Sequence, residues 1–140
     1  MKFVEKRMNL FDVGDKYYLV HCISADLALG AGIAKEFNKR FNLREKLREI
    51  TSEHRYFQQV VLVDKVFNLI TKEKYWQKPT YQTLLICLTQ LKKMCLDNNI
   101  KHLAMPRIGC GLDKLDWNIV KRMIQEVFQY TTIEILICYI

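Results

Sequence analysis

Two short stretches of this chain carry residue types that can hold a ligand and act on it. The first, Ser24-Ala25-Asp26-Leu27-Ala28-Leu29-Gly30-Ala31-Gly32, follows an apolar, β-rich run and precedes a helical pattern. The second, Pro106 to Leu115, repeats that arrangement around Gly109-Cys110-Gly111. In a parallel α/β sheet such loops lie at the carboxyl ends of strands, where ligands bind. Glycine lets the backbone approach a ligand closely. A helix start adds unpaired N–H groups and partial positive charge. Each Gly-x-Gly therefore suits an oxyanion, and two on one rim suit a diphosphate. On spacing alone, glycines that only shape a tight turn account for both motifs at least as well. Neither is a Walker A loop, because no Gly-Lys-Ser/Thr follows, and neither is a full Gly-x-Gly-x-x-Gly.

Single residues beside these loops sharpen the chemistry. Asp113 stands just past Gly111. A carboxylate next to a phosphate cradle is electrostatically unfavourable unless it holds a ribose hydroxyl or serves as a base. The other role open to it is helix capping, for which Asp116 is better placed. Lys72 ends an apolar run, and is either a solvated surface amine, as Lys74 and Lys78 read, or an amine directed into the ligand rim. As a nucleophile it has to lose its proton, helped by desolvation or neighbouring positive charge. Arg107 can reach a phosphate or a surface carboxylate. Tyr139 can stack on a base or pack in the core. His21 lies inside an apolar run and reads as a core histidine. His54 and His102 carry no partner pattern. Cys110 lies in a loop, but no His or Asn pattern marks it as a nucleophile. The five cysteines form no Cys-x-x-Cys and no zinc spacing. Free thiols in a reducing, intracellular setting are expected, with no metal.

Alternating strands and helices are needed to position these loops. Tyr17 to Ile23 reads as a buried strand. A helix follows from about Ile33 to Phe41, then a basic helical stretch from Leu43 to Ser52. Val60 to Val63 and Val66 to Ile70 form a hairpin around Asp64-Lys65, with Thr71 and Lys72 after it. Lys78-Pro79-Thr80 is a loop ending in a cap. The helix it starts, Thr80 to Asn98, puts Leu84, Leu88, Leu91 and Cys95 on one face, and Asn98-Asn99 ends it. His102 to Met105 is a short strand. Asp116 caps a helix to about Tyr130 with Val120, Ile124, Val127 and Phe128 inward. Glu134 to Tyr139 is a last strand, and Phe3 to Leu10 adds an edge. This order specifies an α/β layered domain with a largely parallel sheet.

Composition agrees with one domain over residues 1–140. Half the residues are apolar, and only 5 glycines and 2 prolines interrupt regular structure. No apolar run approaches the roughly 18 residues that span a membrane. The start, Met1 to Arg7, has no apolar leader segment, so neither secretion nor a membrane partner is expected. Net charge is +7, from 22 basic and 15 acidic residues. Such a surface favours anionic partners, or simply confers solubility.

Five segments, in order, resemble the macrodomain family: His21-Cys22-Ile23-Ser24 and Gly30-Ala31-Gly32-Ile33-Ala34, then Leu69-Ile70-Thr71-Lys72, then Lys78-Pro79-Thr80-Tyr81, then Met105 through Asp113. The likeness runs from about Leu10 to the C-terminus. Within the family it is similar to the hydrolases of terminal ADP-ribose esters and O-acetyl-ADP-ribose. The resemblance implies a three-layer sandwich, with a mixed, largely parallel sheet between helices and ADP-ribose across the strand ends. It implies that Leu10 and Ile140 lie by the adenosine. Ser24, Gly30, Ala31, Gly32, Ile33 and Thr71 would line the ligand. Arg107, Ile108, Gly109, Cys110, Gly111 and Leu112 would wrap the diphosphate and distal ribose. Lys72 would attack the anomeric carbon and displace a carboxylate, and Asp113 would serve as acid/base and resolve the lysyl adduct. No cofactor is implied.

Expected partners are ADP-ribose, mono-ADP-ribosylated proteins and O-acetyl-ADP-ribose, handled by a monomer in the nucleus or cytoplasm. One departure is Met8-Asn9, where many members of the family carry Gly-Asp. The Asn9 oxygen accepts a hydrogen bond without charge. Three other readings stand beside this one. They are an ADP-ribose reader without turnover, a hydrolase of ADP-ribosylated DNA bases, and a basic α/β nucleic-acid module. The last lacks the interleaved aromatic and basic pattern of single-strand binders.

Overall fold

The computed structural model describes residues 1–51 and 56–140. Its elements follow in chain order as β1 (Lys2–Arg7), a 3-10 turn (Leu10–Asp12), β2 (Tyr18–Ser24), α1 (Gly32–Phe41), α2 (Leu43–Thr51), β3 (Val60–Val63), β4 (Val66–Lys72), α3 (Tyr81–Asp97), β5 (His102–Met105), α4 (Trp117–Phe128) and β6 (Glu134–Tyr139). Ser52 and His54, read above as the end of a helix and as a histidine without partners, lie outside the described residues.

Six strands form one sheet in the order β1-β6-β5-β2-β4-β3. Every neighbouring pair is parallel except the β3–β4 hairpin. The inner strands β6, β5, β2 and β4 read as nearly unbroken apolar runs because both faces are covered, whereas the edge strand β1 is largely charged. Along β4, Phe67 and Leu69 face one core while Val66 and Ile70 face the other. Likewise Leu103 and Met105 of β5 oppose Ala104. α3 and α4 cover the first face through Leu84, Leu88, Leu91, Val120, Ile124 and Phe128. α1 and α2 cover the second through Phe37, Leu43 and Leu47. This is the three-layer, mixed, largely parallel sandwich that the sequence implied.

Local chemistry sets the helix ends. Thr80 and Thr83 form a reciprocal capping box at the start of α3. The Asp116 carboxylate accepts from the Asn118 amide at 2.8 Å and starts α4. Asn99, at φ 54°, carries the chain out of α3. The first strand stops at Arg7, short of the predicted Leu10. There the Asn9 side chain accepts from the Phe11 amide at 2.9 Å and turns the backbone into the 3-10 turn.

His21 is fully buried, as predicted for a core histidine. Its ring stacks on Phe37 at 3.9 Å, and its Nε2 lies 2.6 Å from Asn68 Oδ1. Asn68 is itself pinned by donating to the carbonyls of Val61 and Val66. An amide oxygen only accepts, so Nε2 carries the proton and the ring is neutral. Among the described residues Nδ1 has no hydrogen-bond partner. Burial pushes the imidazole down to about 4, against a smaller opposing effect of the Asn68 bond.

The folded state therefore rejects a proton that the unfolded chain accepts below its ordinary value of 6.5. Stability contributed by His21 is full above that value and falls as pH drops toward 4. The slope is about 1.4 kcal/mol per pH unit. Urea unfolding between pH 7 and pH 4 is expected to show this loss, and His21→Gln to flatten it. An identical slope in the variant would assign the acid sensitivity elsewhere.

Candidate active site

Parallel strands bring their carboxyl ends to one rim, and a cleft of about 1130 Å³ opens there. It runs from Met8, Tyr139 and Ile140, beyond β1 and β6, past the loops after β5 and β2, to Lys72 at the end of β4. From β6 to β4 there are three strand spacings, or about 14 Å. That suits an elongated ligand lying across the strand ends.

At the β4 end the structure makes an ion pair. Lys72 Nζ donates to Asp113 Oδ1 at 2.7 Å, and the two side chains are 15% and 19% exposed. The pair spans the end of β2, which separates β4 from β5 in the sheet. A register shift helps to place it. Ile23 pairs with Ile70, but Ser24 pairs with Lys72, so β4 carries one extra residue at its end. The Ala25 amide then donates to the Lys72 carbonyl at 2.9 Å and fixes that backbone. An amine in contact with a carboxylate, both largely shielded from water, can pass a proton to it and become a nucleophile.

The first loop is held rigidly. Leu27 and Leu29 sit at φ 57° and 40°, yet both are buried. Left-handed backbone costs each of them roughly 1–2 kcal/mol, which burial and hydrogen bonds must offset. Arg44 of α2 supplies some of these bonds, donating to the carbonyls of Leu27 and Ala28. Asp26 supplies others, accepting from Ser24 Oγ at 2.5 Å and from the amides of Ala28 and Tyr75. Burial alone would raise the Asp26 carboxyl, but these bonds hold it below its ordinary value.

The four loop glycines divide into two kinds. Gly32 (φ 59°) and Gly109 (φ 73°) occupy left-handed backbone, and a Cβ there would meet Leu112 and Leu115 at 3.0 and 2.9 Å. They are turn glycines. Gly111 would meet nothing within 4 Å, and Gly30 only the Ala28 carbonyl at 3.6 Å. Both line the cleft, and among the described residues no close neighbour requires glycine there. They keep space clear for a ligand. The start of α1 points the same way. Its N-cap, Ala31, provides no side-chain hydrogen bond, whereas α3 and α4 are capped by Thr80 and Asp116. The first N–H groups of α1 are thus left for an anionic ligand beside Gly30.

At the other end, Arg107 lies over the Tyr139 ring at 4.4 Å and reaches Glu5 only at 4.0 Å. Both Arg107 and Tyr139 line the cleft, so Tyr139 is not a core side chain. A hydrogen bond from Lys121 is the main reason that the Glu5 carboxyl stays below its ordinary value. Phe11 also lines the cleft, with the Arg40 guanidinium 4.4 Å above its ring. Burial raises the Cys22 and Cys110 thiols, Cys110 to about 11, which makes both poor nucleophiles.

Leu10, Ser24, Gly30, Ala31, Gly32, Ile33, Arg107, Ile108, Gly109, Cys110, Gly111, Leu112 and Ile140 all line this one cleft with Lys72 and Asp113. Thr71 is the exception. It is buried, is not part of the cleft lining, and borders a smaller neighbouring cavity with Phe57, Thr80 and Thr83, a cavity that Lys72 borders as well. Side chains alternate along a strand, so the neighbour of Lys72 faces elsewhere. Sequence reasoning missed Asp26, Tyr75 and Trp76. The available signals were an aspartate two residues past a strand end and an aromatic pair in a polar turn.

The sequence profile of the family described as Macro domain matches residues 20–124. An ADP-ribose glycohydrolase, OARD1 of Bos taurus, is 42% identical over 133 residues, which is 92% of this chain and 86% of that protein. Among solved structures, the macrodomain of Mycobacterium tuberculosis DarG superposes with a TM-score of 0.85 at 21% identity, covering 97% of this chain and 96% of that one. Thermosipho africanus DarTG in complex with ADP-ribose gives 0.84 at 17% identity, covering 98% of this chain and 41% of that one.

The glycine division predicts different responses at two positions of one loop. Gly111→Ala is expected to stay within about 0.5 kcal/mol of the parent in urea unfolding. Gly109→Ala is expected to lose about 1–2 kcal/mol through its left-handed backbone. Equal losses at both positions would remove the distinction.

Proposed function

The chain belongs to the macrodomain family, and from that premise we propose an ADP-ribose glycohydrolase that frees glutamate and aspartate side chains of mono-ADP-ribose and deacylates O-acetyl-ADP-ribose. The observation that carries this reading is the 2.7 Å contact of Lys72 with Asp113 at one end of an elongated cleft. A relative that covers most of the chain, named as an ADP-ribose glycohydrolase, supports the same activity.

On this reading the adenosine lies by Leu10, Tyr139 and Ile140. The diphosphate crosses the open start of α1 and the Gly111 loop. The distal ribose ends at Lys72. Asp113 takes a proton from the Lys72 ammonium. The freed amine attacks the anomeric carbon, forming a C–N bond as the carbon–oxygen bond to the acyl group breaks. The carboxylate leaves with that electron pair. Asp113 releases that proton to solvent and, again a carboxylate, takes a proton from the water that attacks the lysyl adduct and passes it to the departing Lys72 amine. The C–N bond breaks, a C–OH bond forms, and Lys72 departs as its ammonium. The net reaction adds one water and yields ADP-ribose, a carboxylate and one proton. A carboxylate is a good leaving group, so an uncharged amine suffices to displace it.

Asn9 uses its side-chain oxygen locally, accepting from the Phe11 amide. The adenine amino group would then meet an oxygen that is shared and uncharged. Two further readings keep the same cleft, namely a reader without turnover and a hydrolase of ADP-ribosylated DNA bases. The near-burial of the Lys72–Asp113 pair favours an enzyme over a reader, because binding alone needs no shielded amine.

Incubation with a glutamate-linked mono-ADP-ribosylated protein, followed by intact mass, tests the reading. Loss of the modification with free ADP-ribose is expected. Lys72→Ala and Asp113→Ala should each reduce turnover at least 100-fold, about 2.7 kcal/mol of barrier. Lys72→Ala should still bind ADP-ribose, and any adduct that Asp113→Ala forms on Lys72, its amine deprotonated by water instead, should persist. Full activity in Lys72→Ala would eliminate the covalent route. Gly111→Val should weaken ADP-ribose binding at least tenfold by filling the diphosphate space.

A further inference from the structure

The turn after β4 carries two aromatic side chains that the reaction above does not use. Tyr75 and Trp76 are 62% and 67% exposed, although both line the cleft at its Lys72 end. Large rings left in water at a cleft mouth mark an interaction surface. The turn is also anchored. The Tyr75 amide donates to Asp26 Oδ2 at 3.0 Å, and the Asp26 amide to the Glu73 carbonyl at 3.0 Å. The Lys74 amide donates to Gln77 Oε1 at 2.8 Å, closing the turn. Asp26 also binds Ser24 and Ala28 of the first glycine loop, so one carboxylate fixes the aromatic rim to the ligand loop.

We propose that Tyr75 and Trp76 grip the polypeptide that carries the ADP-ribose, binding an apolar side chain next to the modified acidic residue. The inference rests on the glycohydrolase reading and specifies its acceptor. A ligand laid across the strand ends with its distal ribose at Lys72 sends whatever is attached to it past this rim. The two rings meet edge to face, with centroids 5.1 Å apart and planes at 88°. Perpendicular rings make a corner that receives one apolar side chain, whereas successive nucleobases stack on exposed parallel faces. Lys74 and Lys78 stand on either side of the pair in sequence and outnumber Glu73, so the turn carries a single net positive charge, enough to favour a modified acidic segment and little for a continuous phosphate backbone.

The test is binding, made in the Lys72→Ala protein so that turnover does not intervene. Calorimetry compares free ADP-ribose with a peptide bearing glutamate-linked mono-ADP-ribose and a leucine beside the modified residue. The peptide is expected to bind at least tenfold tighter than free ADP-ribose. Adding Trp76→Ala or Tyr75→Ala should reduce that advantage to about twofold or less, with free ADP-ribose affected far less than the peptide.

No advantage for the peptide in the parent overturns the proposal. So does an advantage untouched by both ring deletions, or an equal loss for the two ligands. A preference for an ADP-ribosylated oligonucleotide that these deletions abolish would assign the corner to a nucleic acid and overturn it equally. Failure of the wild-type protein to hydrolyse the peptide would instead strike the catalytic reading, since the binding comparison stands without turnover.

Discussion

The contact between Lys72 and Asp113 constrains more of this molecule than its size suggests. It joins the end of β4 to the loop after β5 across the intervening β2. Those three strands must therefore run parallel and end at the same level. A slip of one residue in β4 would exchange Lys72 for Thr71, a buried hydroxyl that does not line the cleft and has no charge to pair with Asp113. The extra residue in β4 and the Ala25–Lys72 backbone bond hold that register. Charge alone would not do so, because an ion pair open to water is worth little.

The ligand loops depend on a second arrangement, in which buried groups hold exposed backbone in place. Leu27 and Leu29 are kept in left-handed conformations by their own burial, by Arg44 from α2 and by Asp26. Rigidity of this kind lowers the cost of ordering a loop when a ligand arrives. It also explains why the first loop can carry a strained backbone and remain a hydrolase's binding surface. Gly30 and Gly111 stand where the cleft is open, whereas Gly32 and Gly109 stand where the turn is tight.

Much of this was legible in the sequence, for definite reasons. β5 and β6 fall at their expected bounds because buried parallel strands are short, unbroken apolar runs. The start of α3 was visible as Pro79-Thr80, and that of α4 as Asp116, because caps are local chemistry. The side of the sheet to which Thr71 points was not legible, since it follows from alternation next to a register shift set by β2. Nor did sequence separate turn glycines from space-keeping ones, a distinction that needs φ and neighbours at once. Tyr75 and Trp76 belong to no motif that the sequence reading singled out, and only the path of the backbone along Asp26 brings them to the cleft.

On the proposed function, the uncapped start of α1 ties stability to occupancy. Amides that α3 and α4 satisfy with their own side chains are left by α1 to whatever enters the cleft. An occupant that binds only the folded chain adds RT ln(1 + [L]/Kd) to the unfolding free energy, about 2.7 kcal/mol at a hundredfold excess over Kd. Amide hydrogen exchange in the first turn of α1 thus reports directly on whether the site is filled. In a cell, the lifetime of this chain would track the supply of its ligand as well as the quality of its core.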